Sequence, residues 1–358
     1  MTWRARWPVR VALAVAVSWL LVGAGATPVA AHTVGGAQAS NYQTRIRAIE
    51  PAVAGLRVEV VDAGTRLRLR NPTGLEVVVL GYAGEPYLRV GPAGVFENRR
   101  SPATYRNRIR IAPAPPPAHA DPAAPPQWRR LDGGDAVAWY DHRAYWMEAS
   151  DPPAVRAAPG RSHVVIPTWQ ADLRVGGQPV RVTGDVRWVP GPSPWPWIVA
   201  AAVGCLLAVL AATGHRRRPQ LIAALTGLLV AVDLTHTVGI WGGTSASVAN
   251  KVYGSLASLA GWALAVLAVR RLLGPDPERA GVHLLLTAII LVMVGGLGDM
   301  GSLSRSQLAV ALPAPLTRAL IAATLGLGAG LAIVGLRWSQ PSTGRFRRRG
   351  SAAEQGAP

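Results

Sequence analysis

Hydrophobic and polar positions divide the chain into two halves at the stretch 188–218, WVPGPSPWPWIVAAAVGCLLAVLAATGHRRR. Upstream, hydrophobic residues alternate with polar ones at a period of two, which is typical of half-buried β-strands. Downstream, hydrophobic residues form long uninterrupted runs of the kind that cross a membrane as helices. The pattern therefore predicts a β-rich domain and a helical membrane domain, joined by a Pro/Trp collar at 191–196.

The β-rich domain is expected to cover residues 32–190. From Leu56 onwards, the runs LRVEVVD, TRLRLRN and LEVVVLG place charged residues on one face and Val or Leu on the other. Turn signals separate these runs, and short strands at this spacing favour an antiparallel β-sandwich with the arginines of TRLRLR on a solvated face. Gly176-Gly177 between two alternating runs predicts a hairpin. The Pro-rich segment at about 111–127 is expected to be extended, either as a linker between two sheets or as a long loop within one sandwich.

Residues 1–31 have the order of a secretory signal peptide. Arginines at 4, 6 and 10 precede the apolar run Val11–Val22, and small residues lead to Val29-Ala30-Ala31. Cleavage after Ala31 would make His32 the first residue of the mature chain. The alternative is an uncleaved signal anchor, which the shortness of the apolar run disfavours.

Five apolar segments make up a predicted transmembrane domain at 197–337. Each has about the length needed to cross the hydrocarbon core of a bilayer. They lie at about 197–213, 220–241, 252–269, 281–298 and 315–336. Glycines 326, 328 and 330 are expected to be close-packing positions between these helices. The fold class predicted is thus a β-sandwich-like extracytoplasmic domain plus an α-helical membrane bundle of five transmembrane helices.

The distribution of arginine predicts the orientation of this bundle. Arginines cluster at 216–218, at 270–279 and after 337, whereas the alternate loops contain only Lys251 and Arg305. Loops rich in Lys and Arg remain in the cytoplasm. The β-domain should therefore lie outside the cell, as the signal peptide also predicts, and the basic tail at 338–358 should be cytoplasmic and disordered.

Composition limits the classes of partner and of covalent structure. The formal net charge is +18, from 37 Lys and Arg against 19 Asp and Glu. Because many arginines flank the spans or alternate within strands, we attribute this charge to topology and solvated faces rather than to nucleic-acid binding. The expected partners are the lipid bilayer and other envelope proteins. The single cysteine, Cys205, leaves the exported domain without a disulfide.

Polar residues inside the spans are the first candidates for function, because they are costly in a bilayer. Asp233 and His236 are three residues apart and therefore share one face of the second span. Asp299 lies at the outer end of the fourth span. A metal site or a proton relay would need such residues to face the interior of the bundle. The alternative is a buried pair that locks two helices together.

A second candidate is the segment 139–147, WYDHRAYWM, which fits neither the strand period nor the helix period. His142 and Met147 are candidate copper ligands, because imidazole and thioether suit this metal, and His163 could complete the site. Alternatively, the aromatic residues belong to the core and a structural Asp141–Arg143 ion pair lies in a loop. In a third interpretation, Trp139 and Trp146 form a surface for a partner protein.

A mature chain that begins at His32 would offer an amine and an imidazole nitrogen to one Cu(II) ion. This start, together with a β-rich ectodomain and membrane spans, resembles exported bacterial copper-binding proteins of the CopC and YcnI type. The resemblance covers only the start and the coarse architecture, and it implies copper binding with His32 as a ligand.

The sequence contains no Ser-His-Asp signature, Walker loop, HExxH or CxxC motif, so we expect a protein that is not an enzyme. The leading hypothesis is an envelope membrane protein whose extracytoplasmic β-domain binds or handles a metal ion such as copper. The alternatives are a non-catalytic scaffold that binds a partner, and a transporter or sensor subunit that uses Asp233 and His236.

Overall fold

The computed structural model describes residues 37–110, 115–148, 150–213 and 218–339. The predicted signal peptide, His32 and most of the predicted basic tail lie outside these ranges. The described residues form a β-rich domain up to the collar and a helical domain after it, as the hydrophobic pattern predicts.

The β-rich domain consists of two antiparallel sheets. Its described strands are β1 (Tyr42–Glu50), β2 (Arg57–Val61), β3 (Arg66–Arg70), β4 (Val77–Leu80), β5 (Pro86–Gly91), β6 (Gly94–Asn98), β7 (Trp128–Asp132), β8 (Ala136–Tyr140), β9 (His163–Val175) and β10 (Gln178–Trp188). The larger sheet has the order β1-β10-β9-β4-β5-β6-β7, and the smaller has the order β2-β3-β8. Two short helices, α1 (Pro102–Arg106) and α2 (Pro153–Ala157), lie in the connections.

The alternation seen in the sequence produces these strands directly. In β3, Leu67 and Leu69 are 1% and 0% exposed, while the three arginines that alternate with them point away from the core. Arg68 forms an ion pair with Glu59 across the strand pair β2–β3. The predicted hairpin between β9 and β10 is also confirmed. Gly176 and Gly177 both have positive φ, 54° and 86°, which a two-residue hairpin turn favours and which glycine adopts without strain.

One hydrophobic cluster joins the two sheets. It contains Leu69 and Trp139 from the smaller sheet together with Val79 and Leu173 from the larger one. The Pro-rich segment leads from α1 to β7, and β7 pairs with β6 in the larger sheet. The described part of the segment, residues 115–127, therefore leads into a strand of the larger sheet.

A buried carboxylate stabilises the β1–β10 pair. Asp185 is 3% exposed and accepts hydrogen bonds from the guanidinium groups of Arg45, Arg47 and Arg187 at 2.6–3.3 Å. Burial by itself would raise the pKa of Asp185, but these three donors outweigh that effect and hold the pKa well below its usual range. The folded state therefore favours the ionised carboxylate.

The helical domain contains four described helices that are long and apolar enough to cross a membrane. The helices of this domain are α3 (Trp195–Ala211), α4 (Arg218–Gly243), α5 (Val248–Leu272), α6 (Gly281–Leu291) and α7 (Ala314–Ser339). A 3-10 turn precedes α6 and a π-helical segment, Val292–Leu297, extends it, so that the span as a whole runs from Pro277 to Leu297. The helix α3 is apolar but has only 17 residues, about 25 Å of helix, which is slightly less than the hydrocarbon thickness.

Glycines allow α3 and α7 to pack closely. A Cβ atom at Gly326 would lie 2.3 Å from the carbonyl oxygen of Ala201, and one at Gly330 would lie 2.7 Å from that of Cys205. The backbones of the two helices therefore approach too closely for any side chain at these positions. The close-packing role predicted for these glycines is confirmed.

The β-domain is docked directly on one end of the helical domain. Ser40 and Gln307 exchange two backbone hydrogen bonds of 3.0 and 2.8 Å, and the side chain of Asn41 accepts a bond from the Ser306 N–H. Beyond the end of α4, Ser245 donates to the carboxylate of Asp62 through its N–H at 2.8 Å and its hydroxyl at 2.5 Å. The domains are therefore held together by polar contacts on both sides, in addition to the short collar.

Candidate functional site

The candidate site is a group of polar side chains buried between α4, α5 and the π-helical segment after α6. Asp233 and His236 lie on one face of α4, as their spacing predicts, and each is only 1% exposed. Asp299, which follows the π-helical segment, is the third member. We call these three residues the carboxylate–histidine cluster.

Asp233 is positioned by α5 and by the π-helical segment. The indole Nε1 of Trp262 donates to Asp233 Oδ2 at 2.9 Å. On the other side, a Cβ atom at Gly295 would lie 2.3 Å from Asp233 Oδ1, so this carboxylate packs against bare backbone. Single π-helical turns occur frequently at functional sites. Here the irregular segment brings a glycine against the carboxylate.

His236 is held less tightly than Asp233. Its Nδ1 lies 3.8 Å from Asp299 Oδ2, which is beyond hydrogen-bond distance. Its Nε2 is buried and has no hydrogen-bond partner among the residues that the structure describes. A buried polar atom without a partner is destabilising and is therefore unusual in a purely structural role.

A small cavity lies between the three side chains. It has a volume of about 30 Å³, and the serines Ser255 and Ser258 of α5 also line it. A polar cavity of this size is large enough for one water molecule. The cluster can therefore hold a proton, or a water molecule that carries one, between two carboxylates and an imidazole.

The cluster lies closer to the end of the bundle that carries the β-domain. Asp233 is ten residues from Gly243, the last residue of α4. At the rise of an α-helix this separation is about 15 Å. Asp299 is nearer still to the docked end, because it follows the last turn of its span, and its side chain is 24% exposed. The distance between the carboxylate–histidine cluster and that end of the bundle is therefore short.

The predicted copper ligands among the described residues each make contacts of their own. His142 Nε2 lies 3.1 Å from the carbonyl oxygen of Ile109, His163 Nε2 lies 2.8 Å from that of Ala158, and Met147 packs against the core. Within the described ranges, no group of three or more His, Cys, Asp or Glu residues could hold a metal ion. His32 lies outside those ranges.

The segment 139–147 matches the structural alternative, and one part of the partner-surface prediction is wrong. Trp139 is the inward-facing end of β8 and is 4% exposed, so it offers no surface to a partner. Asp141 is buried and accepts bonds from the Trp139 indole and from Arg143 at 2.8–3.1 Å. Trp146 is partly exposed and donates to the carbonyl oxygen of Ser150.

Sequence reasoning missed the residues of α5 that complete the site. Ser255, Ser258 and Trp262 recur at intervals of three and four residues and therefore share one face of this apolar helix. This polar stripe indicates which face of α5 points into the interior of the bundle. Only the folded structure shows that the stripe meets Asp233.

Comparison of the chain with protein-family models, with curated proteins and with solved structures gave no match.

Proposed function

We propose that this chain is an integral membrane protein of the transport or signalling class, and that its carboxylate–histidine cluster takes up and releases a proton. In this proposal, five helices cross the membrane and a sandwich-like β-domain lies on the outer side. The proton exchanges with that outer side. The proposed protein is not an enzyme.

The single observation that carries the proposal is the burial of His236 beside two carboxylates. His236 is 1% exposed, its Nε2 has no partner within the described part of the chain, and Asp299 lies 3.8 Å from its Nδ1. A buried carboxylate and a buried imidazole, with a second carboxylate that is only 24% exposed, need a compensating proton or cation. We propose a proton as that occupant.

Support for five spans comes from the flanks of α3. Its 17 residues begin with Trp195 and Trp197, whose rings favour the headgroup layer, so the short apolar helix can reach across a bilayer. Support for the orientation comes from the arginine-rich loops, which alternate with loops that contain only Lys251 and Arg305. Both features favour an outer β-domain and a cytoplasmic C-terminus.

The test is a titration of the cluster by infrared difference spectroscopy on the purified full chain. In the wild type, we expect the C=O stretching band of a protonated carboxyl group to change between about pH 5 and pH 8, a range in which carboxyl groups removed from water titrate. Asp233→Asn and Asp299→Asn should remove or shift that change. Asp276→Asn is the matched control, because Asp276 lies in the loop between α5 and α6 with its side chain 53% exposed. A band that is unchanged over this range would contradict the proposal and favour a structural pair.

Copper handling remains a separate proposal that rests on His32 and on the resemblance given above. None of the described residues adds to it. It predicts that Cu(II) binds at the free amino terminus of the mature chain, and it can be tested without reference to the carboxylate–histidine cluster.

A further inference from the structure

A larger cavity lies between the β-domain and the helical domain. Its volume is about 340 Å³, which is within the range of small-molecule binding sites. One wall comes from β1 and from the β2–β3 hairpin, and the other comes from the C-terminal end of α4, the residues that follow it and the connection before α7. The lining includes Gln43, Arg45, Asp62, Arg68, Thr244 and Gln307. A ligand in this cavity would therefore touch both domains.

Hydrogen-bond donors are in excess along this lining. In the described part of the chain, Arg68 uses only Nη2, on Glu59, and Arg45 uses Nε and Nη2, on Asp185. Thr244 is 8% exposed and its hydroxyl has no partner among the described residues. Guanidinium and hydroxyl donors in one cavity fit an oxyanion, because arginine binds phosphate and carboxylate through parallel N–H bonds.

The carboxylate in the lining does not oppose such a ligand. Asp62 already accepts the N–H and the hydroxyl of Ser245, and a nitrogen of Arg66 lies 3.5 Å from its Oδ2. One of the carbonyl groups at the C-terminal end of α4 also has a hydrogen-bond partner, since the carbonyl oxygen of Gly239 accepts a bond from the Ala311 N–H at 2.8 Å. The negative groups of the cavity wall are therefore compensated, whereas Nη1 of Arg45, Nε and Nη1 of Arg68 and the Thr244 hydroxyl have no partner among the described residues.

The wall is built from strained backbone. Asp62 and Ala63 have φ values of 54° and 55°, in the left-handed region that side chains other than glycine rarely adopt. Gly64 follows at φ 90°, where a Cβ atom would lie 2.7 Å from the carbonyl oxygen of Tyr42. Strained residues of this kind persist where the surrounding structure holds them and often occur at ligand sites.

We propose that this interdomain cavity binds a phosphate group, carried either by a small soluble molecule or by an anionic lipid headgroup. Arg68 and Arg45 would contact the phosphate oxygens, and the Thr244 hydroxyl would donate a third bond. The site lies where α4 leaves its apolar segment, which is the depth of the headgroups in a bilayer. The proposal does not depend on the carboxylate–histidine cluster.

The test uses the purified full chain and two sources of phosphate. Calorimetric titration with glycerol phosphate, with glycerol as the uncharged control, tests the soluble source. Nanodiscs that contain phosphatidylglycerol or only phosphatidylcholine test the lipid source through the thermal stability of the protein. Saturable binding of glycerol phosphate, or stabilisation by phosphatidylglycerol alone, supports the proposal and identifies the source.

Matched variants distinguish the cavity from the general positive charge of the chain. Arg68→Gln should weaken binding by about tenfold or more, because it removes a charged hydrogen bond, and Thr244→Val should weaken it by a smaller factor. Arg181→Gln is the control: Arg181 pairs with Asp172 on neighbouring strands as Arg68 pairs with Glu59, and all four side chains are at least 38% exposed, but Arg181 does not line the cavity. Surface pairs of this kind contribute little to stability, so both variants should fold.

Three results would overturn the proposal. The first is an absence of saturable binding from both phosphate sources. The second is equal affinity for glycerol and glycerol phosphate. The third is an equal loss of affinity in Arg181→Gln and Arg68→Gln, which would mean that binding depends on the net charge of +18 rather than on the cavity.

Discussion

Gly295→Ala is the sharpest structural perturbation of the carboxylate–histidine cluster. The added Cβ atom would lie 2.3 Å from Asp233 Oδ1, whereas ordinary contacts begin at 3.4 Å, so the carboxylate must move by about 1 Å. The bond from Trp262 to the same carboxylate is 2.9 Å long and would be lost by a shift of that size. The substitution therefore acts directly on the residue proposed to hold the proton.

The expected magnitude follows from these contacts. A lost hydrogen bond to a buried carboxyl group costs about 1.5–3 kcal/mol. Replacement of a helical glycine by alanine returns about 0.5–1 kcal/mol. The free energy of unfolding should thus fall by about 0.5–2.5 kcal/mol, and the carboxyl band of the infrared titration should shift.

Two other glycines of the helical domain supply the controls for this experiment. A Cβ atom at Gly227 of α4 would meet nothing within 4 Å, and one at Gly296 would meet the flexible end of Leu325 at 2.8 Å. Gly227→Ala and Gly296→Ala should leave the carboxyl band unchanged. Thermal unfolding in detergent and the infrared titration are the two assays. Wild-type behaviour of Gly295→Ala in both would refute the positions assigned to Asp233 and the π-helical segment.

Three further predictions concern other parts of the molecule. Asp185→Asn should lower stability by about 2–3 kcal/mol at neutral pH. The pKa of Asp185 in the folded state is held below its usual value. The ionised carboxylate therefore stabilises the fold above the usual pKa, and this stabilisation is lost as the pH falls through the folded pKa. If the unfolding of Asp185→Asn depended on acid pH as the wild type does, this prediction would be contradicted. Gly326→Ala should separate α3 from α7 and destabilise the protein by about 1–3 kcal/mol relative to Gly227→Ala. Equal thermal unfolding midpoints for these two variants would contradict the close packing of the two helices. Placing one extra residue before His32 should abolish tight Cu(II) binding, and unchanged binding by calorimetry would exclude the amino-terminal copper site.

Much of the fold follows from periodicity alone. The alternation of Leu67 and Leu69 with arginines specifies which side chains enter the core, and Gly176-Gly177 specifies a turn. The long apolar runs specify helices, because a span must satisfy its own backbone hydrogen bonds. The order of the strands in the sheets does not follow from these local patterns, since β1 pairs with β10 at the opposite end of the domain.

The candidate site could be predicted only in part, for the same reason. Asp233 and His236 share a helix, so their spacing predicts one face. Their partners Trp262, Gly295 and Asp299 come from other elements, and the contact between Asp62 and Ser245 joins residues 183 positions apart. Such contacts depend on how the helices and domains pack, which no local pattern reveals.

The error at Trp139 has a specific physical cause. Aromatic residues on both faces of the strand pattern indicate a departure from regular structure, and a surface for a partner is one of the interpretations that such a departure allows. In fact β8 ends at Tyr140, and the residues after it turn around the buried Asp141. The period is broken by a loop with its own polar core, and Trp139 remains an ordinary inward-facing strand residue.

The most direct test of the central claim is a measurement of proton exchange from one side. The full chain is reconstituted in vesicles with the β-domain outward, and the carboxyl band is followed while only the external pH is changed. The account predicts that the band responds to external pH and that Asp233→Asn abolishes the response. A band that does not change with external pH, or that changes only after the vesicles are made permeable to protons, would contradict proton exchange with the outer side.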